Sequence, residues 1–453
     1  MKTIFVTIPM GLIYRNIVQS GIVNYLQKAG WRIVILTPAY QEPDFIAETA
    51  TENIVVEPLI DYSPKGLEKI IVNFRNNLVF TDTTKVKLAV AKANKEYWSW
   101  FSKMFIHVCF GKMKWLNNIL EKIDNHYFVK NLYQDLFNQY QPDLVFATNL
   151  IYHNDIELIK EAKKAGIKTV GMVMSWDNLT SKGAVHVKTD KLIVWNEIMK
   201  KEALDLAGFK EQNIFLSGVP QFDFYFQPDK IIPRDEFFAK NGLDPKKKLI
   251  VFGAGTDKTT PNEKEVIKIL DDFIDQGKIG LPVEIMLRLH PKAFLRKEYG
   301  WVKDLKHIKS ELPGRSLASF SDVWFPTMPD IWHMVNLLYH CDLVINTCST
   351  FTIDGLAFDK PVINIYFDGN QNNVPYGKSI KRYSHQAHYR PIAEGGGVKL
   401  VNNQDELLQA INDYLKDPSL NQVARQKTLL QQAYIYDGQA AQRIANYLIS
   451  QLS

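Results

Sequence analysis

Short apolar runs recur along this chain, each followed by a stretch of helical period that stops on glycine, and that alternation leaves few folds open. "TIFVTI", from Thr3, gives way to "IVQSGIVNYLQKAG". There Ile17, Ile22, Val23 and Leu26 fall at helical spacing, and Gly30 closes the helix before "WRIVILTP". A strand–helix–strand unit predicts a parallel sheet with a right-handed crossover. A helical stretch is predicted over residues 65–140. The alternation then resumes with "PDLVFATN", "DIELIKEAKKAG" (stopped by Gly166), "KTVGMVMS", "KLIVWN", "EIMKKEALDLAG" and "NIFLSGVP". A Pro- and Lys-punctuated linker follows. A second series starts at "KLIVFGAGTDK" and runs through "VEIMLRLHPK" and "CDLVINTCSTFTIDGLAFDKPVINIYFDG" to helices at the end. The prediction is an α/β chain of two doubly wound, Rossmann-like domains. Residues 1–221 form the first domain, with 65–140 as a helical insertion. Residues 222–453 form the second domain, whose last helix is placed to pack back on the first. Ligands of such sheets bind at the carboxyl ends of the parallel strands, here in a cleft between domains.

Several function classes drop out early. The first strand–helix loop has no G-x-G-x-x-G, which argues against a dinucleotide cofactor. The three cysteines, Cys109, Cys341 and Cys348, include no C-x-x-C, so neither a metal site nor a disulfide framework is expected. No cofactor and no nucleic acid partner are expected. No run reaches the roughly 18 residues of a membrane span. The first residues read as a strand rather than a signal peptide, and a reducing, cytoplasmic location is expected. The charge is uneven: between Lys65 and Asn131 stand twelve Lys and Arg against five Asp and Glu, although the whole chain carries only +5. That stretch includes "KEYWSWFSKMFIHVCFGKMKW", with three tryptophans among lysines. It suits an anionic membrane surface, such as the inner face of a plasma membrane, or an anionic acceptor. The plainer account is an insertion with aromatics in its core and lysines in water.

Four strand ends carry chemistry. In "TCSTFTIDGLAFDKPV", Ser349 and Thr350 precede a helix whose N-terminus could receive phosphate, and Asp354 could accept a bond from a ribose or glycosyl hydroxyl. A capped helix start with a first-turn acid explains the same residues. "RLHPK" predicts Arg288, His290 and Lys292 on one face of a strand, a cation set suited to a diphosphate. Gly255, Thr256 and Lys258, in "GAGTDK", form a second glycine-rich strand end that could let backbone approach phosphate. "SWDN" ends a buried run on Trp176, Asp177 and Asn178, either as a turn or as an active-site lip. Arg15 and Asp155, in loops after other strands, either face the presumed cleft, where they would meet a substrate, or are ordinary loop polarity.

Taken in order, these elements resemble the CDP-glycerol glycerophosphotransferase-like group within the GT-B glycosyltransferases. The resemblance covers about Gly166 to Asp437. It rests on "MSWDNLTSKG", the Gly-x-Pro-x-x-Asp element "SGVPQFD", the Arg-x-His-Pro strand end at Arg288–Pro291, and "CDLVINTCSTFTIDGLAFDKPVINIYFD". The basic insertion has no counterpart in that pattern. The resemblance implies an inverting, metal-independent transferase whose first domain (1–221) binds the acceptor and supplies the base and whose second domain (222–453) binds the nucleotide donor. Ser349, Thr350, Arg288 and His290 would hold its phosphates, and His290 would also stabilise the leaving diphosphate. Where the family places His after the motif's Trp, as a candidate base, this chain has Asp177. That change, with the altered Thr347-Cys348-Ser349-Thr350, favours a sugar nucleotide as donor. Trp176 and Asn178 would hold the acceptor, Asn178 orienting either it or Asp177. The expected function is therefore transfer of a sugar from a nucleotide donor to a cell-surface glycan or lipid-linked acceptor. The rivals are a polyol-phosphate transferase, a sugar-nucleotide 2-epimerase and a non-catalytic nucleotide-sugar binder.

Overall fold

The computed structural model describes residues 1–111, 113–256, 260–295, 297–371 and 373–452. Its first sheet contains β1 (Thr3–Thr7), β2 (Arg32–Thr37), β3 (Ile54–Pro58), β4 (Leu144–Ala147), β5 (Lys168–Met172), β6 (Lys191–Val194) and β7 (Ile214–Leu216). All are parallel, in the order β3-β2-β1-β4-β5-β6-β7. The second sheet is built from β8 (Lys248–Gly253), β9 (Val283–Arg288) and β10 (Ile308–Glu311), then, after a small ribbon of β11 (Arg315–Ser316) and β12 (Trp324–Phe325), from β13 (Leu343–Asn346), β14 (Val362–Ile365) and β15 (Lys399–Val401). Its order is β10-β9-β8-β13-β14-β15, again parallel. The apolar runs become central strands because helices cover both faces: every residue of β1, β4, β9, β13 and β14 is buried. Two such sheets facing across a cleft are the GT-B arrangement.

The segment expected as a loop after β1 is already helical. A turn at Gly11–Ile13 runs into a π-helix at Tyr14–Gln19, closed by Ser20 N–H donating to the Arg15 carbonyl at 3.0 Å. Gly21, at φ +97°, separates it from the helix Ile22–Lys28. π-turns often re-aim side chains at functional sites, and this one carries Arg15.

Contacts at both ends of the cleft, among others, tie the halves together. The β11–β12 ribbon lies on the first helix, where both Asp322 oxygens accept backbone N–H groups, from Gly11 at 3.0 Å and Leu12 at 3.1 Å. Gly11 is required there, because a Cβ would stand 1.9 Å from the Trp324 carbonyl oxygen. At the other end the last helix, Ala440–Ser450, packs on Ile22–Lys28, and Tyr447 stacks on Phe215 of β7 at 4.0 Å. Asp223, of the Gly-x-Pro-x-x-Asp element, accepts from the Ala440 and Ala441 amides at 3.0 and 2.8 Å, so that motif residue holds the helix start.

The insertion consists of helices Gly66–Leu78, Asp82–Ala93, Tyr97–Phe110 and Lys114–Tyr127, followed by Gln134–Tyr140. No residue of Tyr97–Phe110 is buried. Trp98, Phe101, Phe105 and Val108 form an outward stripe, and Trp98 is 87% exposed. The account that places these aromatics in a core does not hold for this helix.

A candidate active site between the two sheets

A cleft of about 460 Å³ lies between the carboxyl ends of the two sheets. It brings together Arg15, Trp176, Asp177, Asn178, Arg288, His290, Lys292, Ser349, Thr350 and Asp354 of the expected residues. Asp177 and Asn178 stand on the first-half lip just beyond β5. Ser349 accepts the Phe351 N–H at 3.3 Å and starts the helix Phe351–Ala357, and Thr350 beside it is exposed.

The side chain of Asp177 is held from two sides. Ser181 donates its hydroxyl at 2.7 Å, and the Lys182 ammonium stands 3.5 Å away. Burial pushes this carboxyl up, but Lys182, His388 and the Ser181 and Ser175 hydroxyls outweigh burial and keep it below the ordinary carboxylate range. It is therefore ionised at neutral pH. Asn178 is buried, and neither its carboxamide oxygen nor its nitrogen has a partner. A buried amide without partners at a cleft wall marks a place where a ligand or water completes the bonding. Trp176 lines the cleft too, but its indole N–H donates to the Gln432 carbonyl at 3.2 Å and its ring meets Trp195 edge-on at 4.6 Å. It anchors the lip to the C-terminal helices.

Next to Asp177, Glu202 is pushed up to about 8, by burial and then by the Asp177 charge. A carboxyl raised in the folded state costs stability as pH climbs from its ordinary value through the raised one. Glu202→Gln is therefore expected to raise the melting temperature at pH 8 by roughly 2–4 °C and to leave it unchanged at pH 5, read by thermal denaturation at both pH values.

On the second-half lip the cations divide. β9 ends at Arg288, because Pro291 cannot continue a ladder, so His290 and Lys292 lie in the following turn rather than on one strand face with Arg288. Arg288 is buried and consumed. It makes a two-toothed contact with Asp330 at 3.0 and 3.1 Å and bonds Glu311, whose other oxygen meets His333 Nε2 at 2.5 Å. Burial alone would lower its guanidinium, but Asp330 and Glu311 raise it. It braces the cleft floor rather than offering a fork to phosphate. The His290 Nδ1 accepts the Lys292 amide at 3.0 Å, which puts the proton of a neutral ring on Nε2. Lys292 is exposed at the rim.

Three further expectations change. Asp155 does not reach the cleft. It is fully buried between β1 and β4, accepts from Thr7, and is pushed up to about 7 by burial. Gly255 and Thr256 do not line the cleft either, because the Gly255 N–H donates to Glu263 at 2.7 Å and folds that loop inward. Lys258 lies outside the described residues. Several cleft residues carried no separate signal in the sequence: Tyr152, Lys182, Gln221, Asp322, Trp324 and Asp330. Gln221 and Lys182 sit inside quoted motifs but look like ordinary turn residues. Asp354 joins Arg15 through Gln221, and accepts the Tyr225 hydroxyl at 2.7 Å. Burial raises Asp354 and lowers Arg15.

Residues 160–450 match the model of the CDP-Glycerol:Poly(glycerophosphate) glycerophosphotransferase family. No curated protein matches the sequence. Among solved structures, the MnaA–UDP complex of S. aureus superposes with a TM-score of 0.54 at 14% identity, covering 100% of this chain and 97% of that one. A UDP-GlcNAc 2-epimerase from Neisseria meningitidis, bound to UDP-GlcNAc, gives 0.55 at 13% identity over 99% and 100%. A glycosyltransferase from Rickettsia africae gives 0.53 at 13% over 99% and 98%. At such identities these likenesses show the fold.

Proposed function

Because the chain belongs to the CDP-glycerol:poly(glycerophosphate) glycerophosphotransferase family, a family of enzymes that transfer a group from a nucleotide-activated donor, we propose that its cleft transfers a sugar, with inversion, to a hydroxyl of a cell-surface glycan or lipid-linked acceptor. The observation that carries this reading is the opposition of an ionised carboxylate, Asp177, to His290 and Lys292 across one cleft. Asp177 takes the acceptor proton as the hydroxyl attacks the anomeric carbon. The His290 Nε2–H and the Lys292 ammonium meet the charge that develops on the leaving phosphate. Ser349 and Thr350 add hydroxyl donors at the donor side, Asp354 a hydroxyl acceptor, and Asn178 a carboxamide for the acceptor. In this reading no metal is needed, because side-chain cations neutralise the leaving group.

The family match favours a second reading, transfer of a polyol phosphate, in which the same base serves attack at phosphorus. Epimerisation is less well supported. It needs several carboxylates free around the sugar, whereas Asp322 accepts two backbone amides, Asp330 pairs with Arg288 and Asp354 accepts from Tyr225. The outward aromatic stripe on Tyr97–Phe110, within the basic insertion, supports attachment to an anionic membrane surface, where a lipid-linked acceptor would lie.

A thermal-shift panel of CMP-, CDP-, UDP-, GDP- and dTDP-linked compounds tests the donor site. One of them is expected to raise the melting temperature, by an amount that grows with the logarithm of ligand concentration over Kd, and no shift with any would remove the basis for a donor site.

A further inference from the structure

Asp177, the base of the transferase reading, stands at the start of a one-turn helix, Asn178–Ser181. So short a helix does not hold itself, and its last carbonyls need donors from outside. The insertion supplies them. The Thr81 hydroxyl donates to the Thr180 carbonyl at 2.7 Å, and the Lys87 ammonium donates to the Ser181 carbonyl. Thr81 is the N-cap of the helix Asp82–Ala93, which carries Lys87. Ser181 in turn donates its amide to the Asp177 carbonyl at 2.8 Å and its hydroxyl to the Asp177 carboxylate at 2.7 Å.

The same helix grips the second half of the chain. Thr83 is buried, and its hydroxyl accepts the Ala387 N–H at 3.0 Å. Asp82 pairs with Arg390 at 3.2 Å. Gly377 comes so close that a Cβ there would stand 2.3 Å from the Ala89 carbonyl oxygen and 2.7 Å from the Ala93 Cβ. His388, between Ala387 and Arg390, is one of the groups that hold Asp177 ionised. One helix therefore meets the lip through Thr81 and Lys87, and the second half through Asp82, Thr83 and Ala89.

We propose that the helix Asp82–Ala93 sets the Asp177 lip against the half that carries His290 and Lys292, and that Thr81, Asp82 and Thr83 are positioning residues for the transfer, acting through the lip. This role rests on the transferase reading of the cleft. It gives the insertion a task inside the enzyme, apart from any surface its outer helix meets. A displacement of about 1 Å in a reacting group can cost roughly a hundredfold in rate, so a brace of this kind acts on turnover more than on donor binding.

The test is hydrogen exchange, read by mass spectrometry on the full-length protein without ligand. It compares wild type with Thr81→Val, Gly377→Ala, Arg390→Asp and the exchanged pair D82R/R390D. Peptides covering residues 178–182 are expected to exchange about fivefold faster or more in Thr81→Val and Gly377→Ala. The rise should be about two- to threefold in Arg390→Asp and should vanish in the exchanged pair, while the amides of β1 and β4 keep their rates. Lip exchange within about twofold of wild type in both Thr81→Val and Gly377→Ala would overturn the proposal. So would a rise shared by β1 and β4, which is general loosening. An exchanged pair no better than Arg390→Asp would strike Asp82 from the set. Turnover is read as release of nucleotide from the donor that the thermal-shift panel selects. Thr81→Val should lower kcat about tenfold, with donor affinity within about twofold. Unchanged kcat on a loosened lip would overturn the positioning role and leave the helix a structural brace. A panel without any shift would sink the donor-site reading, and the exchange comparison alone would then decide whether the helix sets the lip.

Discussion

Replacing Asp177 by Asn is expected to cut turnover by roughly two to four orders of magnitude while donor affinity stays within about twofold. The exchange keeps size and still accepts the Ser181 hydroxyl, but removes the group that takes the proton. Because Lys182, His388 and two hydroxyls hold Asp177 below the ordinary carboxylate range against its burial, the acid limb of the wild-type rate profile should lie below the range of a free aspartate. A shifted carboxyl of this kind contributes stability above its unfolded value and loses it as pH falls through the folded one, so denaturation measured over the same acid range should fall with it. Steady-state kinetics with matched nucleotide titrations read both quantities. Full turnover in the variant would remove Asp177 from the chemistry and leave it as a turn residue.

The second large effect concerns stability. Arg288→Ala leaves Asp330 and Glu311 at the cleft floor without their shared cation. Breaking a buried ion pair from one side costs about 3–5 kcal/mol, to be read as a lower denaturant midpoint at neutral pH. Part of the loss should return on acidification, as the two stranded carboxylates take up protons. Lysine at this position should restore only some of it, since an ammonium cannot span both carboxylates as a planar fork does. A variant of unchanged stability with weakened nucleotide binding would instead place the guanidinium on the donor.

Arg288 also shows where reading the sequence stops. Its residue type and its place at a strand end were legible, and so was the cleft. Its partners were not, because Glu311 and Asp330 lie 23 and 42 residues further on and only the fold brings them near. The strands were legible because central parallel strands need unbroken apolar runs. The lip was legible because a tryptophan, a carboxylate and a carboxamide end such a run. Asp155 misled because acids after strands look alike, whether they face a cleft or, as here, turn under the sheet toward Thr7. Asp322 and Trp324 left no trace, because a ribbon whose strands are two residues long has no period to detect.

The last helix has a consequence for synthesis. Ile22 and Leu26 belong to the core of the first half, and the helix that packs over theirs begins at Ala440. Until the ribosome has released that segment, the first sheet has an uncovered apolar flank. The first half therefore cannot reach its final packing as a nascent domain while the second is being made. Two polypeptides divided at the linker would each carry half of that seam, and the first would need the second present to become soluble.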